Sequence, residues 1–157
     1  MKGPKWVRVD DRLIHGEVGV CWMGALETSK IVVVDDGTAK DDFLKEVLIL
    51  AAPGGSDLSV FSTAEATSGD WSRFDGALVL VKNPLTALAL RKAGLEFQVL
   101  NMGGIGARPG RQRLWKNISA TPEEVQALEE FERLGGQVVF QIIPSDGAVP
   151  FSKVKRG

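Results

Sequence analysis

Hydrophobic positions along the chain fall into two alternating patterns. Short apolar, β-branched runs occur at residues 6–9, 31–34, 57–61, 77–81, 97–100 and 137–143, and each predicts a strand. The run at 31–34 has no polar residue, as a strand buried on both faces requires. A further short, polar strand is expected within 113–119. Between these runs the period lengthens. Phe43, Val47 and Ala51, with Leu44 and Leu48 beside them, form one apolar face of a helix over 41–52, which Pro53-Gly54-Gly55 ends. Ser62 and Glu65 are spaced as a capping box for a short helix. Asn83-Pro84 opens another, and Gly94 stops it. Thr121-Pro122-Glu123-Glu124 is the clearest start, with Val125, Leu128, Phe131 and Leu134 expected inward and Gly135-Gly136 closing the helix. Strand and helix alternate with short connections. The predicted fold is therefore α/β, one domain over residues 1–157, with a mainly parallel open sheet and helices on both faces. The tail from Pro144, with Lys153, Lys155 and Arg156, is expected to pack at an edge or fray.

Composition narrows the chemistry. The net charge of −1 excludes a generally basic nucleic-acid binder. One cysteine, Cys21, excludes an intramolecular disulfide and a Cys-only zinc site, and one histidine, His15, excludes HExxH and paired-His metal sites. No metal or cofactor is expected. Cys21 lies in an apolar stretch and is expected in the core, with Trp22 in the core or an interface. Trp71 and Trp115, in polar surroundings, are expected over loops. Glu123, Glu124, Glu129, Glu130 and Glu132 are expected on the solvated face of their helix. The absence of an apolar leader and of a membrane-length apolar run points to the cytoplasm.

Two loops carry candidate chemistry. The first is Asp10-Asp11-Arg12-Leu13-Ile14-His15-Gly16, between the first strand and a helix expected to begin near Gly16. In an open parallel sheet such a loop sits at the C-terminal edge of the strands, where ligands bind. Amides at a helix start and an arginine suit a phosphate or another anion, and imidazole is both nucleophile and proton carrier. The competing reading is a surface histidine in a turn beside an Asp–Arg pair. The second loop, Asn101-Met102-Gly103-Gly104-Ile105-Gly106-Ala107-Arg108-Pro109-Gly110-Arg111, follows the fifth strand and should open on the same edge. Its glycines allow positive φ and close approach of a ligand. Arg108, Arg111, Arg113 and Lys116 have no acid between Gly103 and Ser119. A mobile, solvated basic loop fits the second segment equally well.

The stretch Arg8-Val9-Asp10-Asp11-Arg12-Leu13-Ile14-His15-Gly16-Glu17-Val18, with Trp22 shortly after, resembles the N-terminal motif of the IIB components of the mannose/fructose/sorbose family of the bacterial phosphotransferase system. Asn101 to Gly110 is similar to a second family stretch, Asn83-Pro84 matches a third, and the region from Thr121 to Val139 fits the family's C-terminal part. The chain departs from the pattern at Glu17, where glutamine is usual, and at Ala107, where phenylalanine is usual.

The resemblance implies a cytoplasmic phosphocarrier, a protein-phosphohistidine–sugar phosphotransferase that associates at the periphery of a membrane permease. His15 would accept a phosphoryl group from the phosphohistidine of a IIA partner and pass it to a sugar entering through the membrane IIC/IID components. Arg12 and Gly16 would hold the phosphoryl group. Asp10 or Asp11 would hold the other ring nitrogen, and Gly103, Gly104 and Arg108 would support the site. Two other functions fit the same residues. One is a regulatory phosphoprotein phosphorylated on His15 without sugar transport. The other is a small anion-binding α/β domain.

Overall fold

The computed structural model describes residues 3–154. Lys155, Arg156 and the side chain of Glu17 lie outside the described residues. The elements follow in the order β1 (Trp6–Asp10), α1 (Gly16–Leu26), β2 (Lys30–Val34), α2 (Asp36–Ala39), α3 (Asp42–Ala51), β3 (Asp57–Phe61), α4 (Thr63–Ala66), β4 (Leu78–Val81), α5 (Pro84–Ala93), β5 (Val99–Gly104), β6 (Gln112–Trp115), β7 (Ile118–Ala120), α6 (Pro122–Arg133), β8 (Gln137–Phe140) and β9 (Val149–Pro150). Seven strands form one sheet in the order β3-β2-β4-β1-β5-β8-β9. All neighbours are parallel except β8 and β9, so the chain after Pro144 packs at the sheet edge, with Phe151 buried. The expected polar strand is a two-stranded antiparallel hairpin, β6-β7. This is the expected α/β fold.

The capping signals act as written. Asn83, Ser62 and Thr121 each accept a backbone N–H at their helix starts, and both capping boxes close. Strand alternation divides the core. Val32 and Val34 face one layer with Leu90, Leu128 and Phe131, while Ile31 and Val33 face the other with Trp22 and Leu48.

The site is placed by connectivity. From β1 the chain turns toward β2 on one side of the sheet, and from β5 it leaves toward β8 on the other. Adjacent strands β1 and β5 therefore part at their C-terminal ends, which opens a crevice there. Pairing slips at that place: Val9 opposes Met102, but Asp10 opposes Gly104, so Gly103 is an extra residue in a bulge.

Several expectations are corrected. Gly103 and Gly104 end strand β5 rather than forming a loop, and neither has a positive φ. β8 ends at Phe140, short of 143. Cys21 is exposed. It lies on the outer side of α1, because the helix seats Trp22 and Met23 inward. Glu124 is buried, paired with Arg111 at 3.1 Å and closing its own capping box, so it leaves the solvated face and Arg111 is not a free cation. Leu134 is 40% exposed because α6 ends at Arg133, before Leu134 can turn inward. The apolar face of α3 is mostly exposed: Phe43 at 73%, Val47 at 43% and Leu50 at 82%, with only Leu48 buried. Among the described residues no helix is long and apolar enough to cross a membrane.

Candidate active site

β1 sends alternate side chains to opposite faces. Val7 and Val9 enter the apolar core, which leaves Arg8 and Asp10 on the α1 side. Both are buried, at 2% and 0% exposure, in the centre of the sheet. Buried charges require partners, and both have several. Arg8 Nη1 donates to Asn101 Oδ1 (2.7 Å) and to the Gln141 carbonyl (3.0 Å). Arg8 Nη2 donates to Asp10 Oδ2 at 3.4 Å, and the guanidinium lies 5.1 Å from the centroid of the Trp22 ring. Burial lowers the Arg8 pKa to about 10, with the Asp10 charge and hydrogen bond pulling upward, so the guanidinium stays charged at neutral pH.

Asp10 is the hub. Its Oδ1 accepts the Arg12 backbone N–H at 3.1 Å, which turns the chain sharply after β1. Leu13 donates to the Asp10 carbonyl at 2.9 Å and sits at φ 58, a sparsely populated conformation for a branched residue. Leu13 and Ile14 are buried beneath α1, and the loop returns with His15 as the N-cap of that helix. His15 Nε2 lies 3.2 Å from Asp10 Oδ2. A carboxylate only accepts, so Nε2 carries the proton, and in the neutral ring the lone pair is on Nδ1. The His15 side chain is 25% exposed.

The two sequence-predicted loops meet. Asp11 accepts the Gly106 N–H at 2.8 Å and donates its own N–H to the Gly104 carbonyl at 2.9 Å. Asp11 therefore clamps the loops together, while Asp10 is the carboxylate beside the imidazole. A Cβ on Gly104 would stand 3.4 Å from Asp10 Oδ1. Arg12 is 55% exposed, with Nε 3.7 Å from Asp10 Oδ1, so its guanidinium can reach a group at the mouth. The His15 side chain makes no capping bond to α1, and Gly16 begins the helix at φ 49 with open space where a Cβ would stand. The amides of its first turn are therefore available to an anion. Arg108 is exposed and has no side-chain partner among the described residues. No group of three potential metal-ligating side chains occurs among the described residues.

The family model described as "PTS system sorbose subfamily IIB component" matches residues 5–156. The chain belongs to this family. The IIB chain is 31% identical over 145 residues to the sorbose-specific EIIB component of Klebsiella pneumoniae, covering 90% of this chain and 88% of that protein. It is 29% identical to the fructose-specific EIIB component of Bacillus subtilis, covering 95% and 93%. The crystal structure of the IIBSor domain of the sorbose permease from Klebsiella pneumoniae superposes with a TM-score of 0.88, covering 95% of this chain and 93% of that one. The IIB chain is thus a phosphotransferase-system component with the fold of a solved sorbose-type IIB domain.

Arg8, Asn101 and Gln141 received no individual role from the sequence. One signal was available for Arg8: with Asp10 it places two charges on one face of a strand flanked by apolar runs. Asn101 and Gln141 join it only through sheet order, across β5 and the end of β8, and no local pattern carries that.

Proposed function

We propose that His15 of this IIB chain accepts a phosphoryl group on Nδ1 from the phosphohistidine of a IIA partner and passes it to a sugar held by membrane IIC/IID components. The observation that carries this reading is the Asp10 grip on Nε2, which leaves Nδ1 as the only ring nitrogen with a free lone pair. The Nδ1 lone pair attacks phosphorus in line, and the donor's P–N bond breaks with its electron pair returning to the donor ring. Positive charge develops on the His15 ring, whose Nε2–H remains on Asp10, so the carboxylate stabilises the transfer state without taking the proton. In the second step a sugar hydroxyl oxygen attacks phosphorus and loses its proton to water. The P–N electrons return to Nδ1 and restore the neutral ring. Arg12 and the open amides at the start of α1 meet the phosphoryl oxygens. Catalysis here is positioning and charge stabilisation, as phosphoryl transfer requires.

The test is to incubate the chain with labelled phosphoenolpyruvate, the general phosphotransferase proteins and a cognate IIA, and then add membranes bearing IIC/IID with sugar. Acid-labile, alkali-stable label that enters the wild type, is absent from His15→Ala and leaves on adding sugar supports the proposal. Label that enters and stays when sugar is added would point to a regulatory phosphoprotein. No label at all would point to a simple anion-binding domain.

A further inference from the structure

A charged arginine in the middle of a sheet needs a reason, since a well-packed apolar residue in its place is often neutral or stabilising. Arg8 is given unusual room. A Cβ on Gly103 would overlap the Arg8 guanidinium carbon and both terminal nitrogens. The β-bulge at Gly103 and the absence of a side chain there together make the slot. One arm of the guanidinium is fixed by Asn101, which itself is oriented by Trp6 Nε1 (3.0 Å) and by its donation to the Gln141 carbonyl (3.0 Å). The other arm reaches the same Asp10 oxygen that holds His15.

We propose that Arg8 is a positioning residue for His15: seated in the Gly103 slot, it shares the Asp10 carboxylate with the imidazole and so limits how strongly that carboxylate favours the protonated ring. The proposal rests on the reading of His15 as acceptor. Without Arg8, the buried carboxylate would be balanced only by His15 and by the exposed Arg12, and an uncompensated anion beside an imidazole favours its protonated form. An imidazolium has no lone pair to attack with. Among the described residues, the charged groups on the surrounding elements are Asp10 on β1, Asp11 and Arg12 in the loop, Lys82 after β4 with its partner Asp35, and Arg108 after β5. All of these stay unchanged when only Arg8 is altered.

The experiment follows the His15 ring by nitrogen-15 NMR titration in the wild type, Arg8→Gln and Arg8→Lys, and records phosphoryl transfer against pH for each. The wild type should show the Nε2–H tautomer. Arg8→Gln should move the His15 titration upward by roughly one unit. Its transfer at pH 7 should then be slower, by roughly threefold, with a larger loss at lower pH, and should recover as pH is raised. Arg8→Lys keeps the charge and should stay near the wild-type midpoint. A purely structural role predicts slower transfer at every pH with an unmoved midpoint, and that result overturns the proposal. If Arg8→Gln does not fold, Gly103→Ala displaces the guanidinium and should shift the midpoint in the same direction; an unmoved midpoint there overturns it equally. The two readings fail separately. A wild type that takes no label defeats the acceptor role, while label in the wild type with an unmoved midpoint in the variants defeats only the role of Arg8.

Discussion

The end of β1 and the face of α3 lie on the same side of the sheet and invert the usual rule in opposite directions. At β1 two charged residues, Arg8 and Asp10, are buried in the centre of the molecule. On α3, Phe43, Val47 and Leu50 stand in solvent. A cleft of about 210 Å³ lies between them, lined by Arg12, Leu13 and Ile14 from the loop and by Leu44, Val47 and Leu48 from the helix. The contrast shows what each exception needs. Buried charge survives only with every partner in place, so that region is closely specified by named bonds. Exposed apolar surface costs the folded chain little and is held by nothing specific.

Substitutions sharpen the contrast in a graded way. His15→Ala should abolish phosphorylation and lower stability modestly, by about 1–3 kcal/mol, because it removes one hydrogen bond from the buried Asp10 carboxylate while Arg8 and the Arg12 amide stay in place. Label persisting in that variant would remove the site altogether. Asp10→Ala should cost on the order of 3–5 kcal/mol in denaturant unfolding, since it strands a buried guanidinium and frees the turn amide, and it should also stop transfer. A loss below about 1 kcal/mol would mean that the buried network is not what holds β1.

Arg12→Ala separates chemistry from structure within the loop. The Arg12 backbone N–H keeps its bond to Asp10 whatever the side chain, and the guanidinium is 55% exposed. Transfer should slow by roughly 10²–10³-fold, while stability changes by less than about 1 kcal/mol. Arg12→Lys should also be slow, because the charge remains but the fork geometry is lost. Equal losses of rate and melting temperature would instead make Arg12 an anchor for Asp10. The smallest effect is expected on α3. Leu50→Ser should change stability by within about 0.5 kcal/mol, as an 82% exposed side chain loses no packing. A larger destabilisation would show that the exposed face is buried in solution.

The same two regions mark what could be read from the residues alone. Strand and helix positions followed from periodicity and caps because those signals are local: Thr121 with Glu124 and Asn83 with Pro84 act within one turn. The motif from Arg8 to Val18 named His15, Arg12 and Asp10 together, and the structure joins them through one carboxylate. The choice of Asp10 over Asp11 needed the strand register, since only one of two adjacent residues can face the imidazole. Glu124 was misplaced because its partner Arg111 comes from a separate loop. The exposure of the α3 face was not legible, because an amphipathic period shows which residues share a face and says nothing of what covers that face.

The most direct test is the position of the phosphorus on the ring. The chain has one histidine, so a phosphorylated sample labelled with nitrogen-15 in histidine gives a single imidazole to assign. Coupling of phosphorus to Nδ1, with Nε2 still carrying its proton, is the predicted result. Coupling to Nε2, the nitrogen that Asp10 holds, would contradict it.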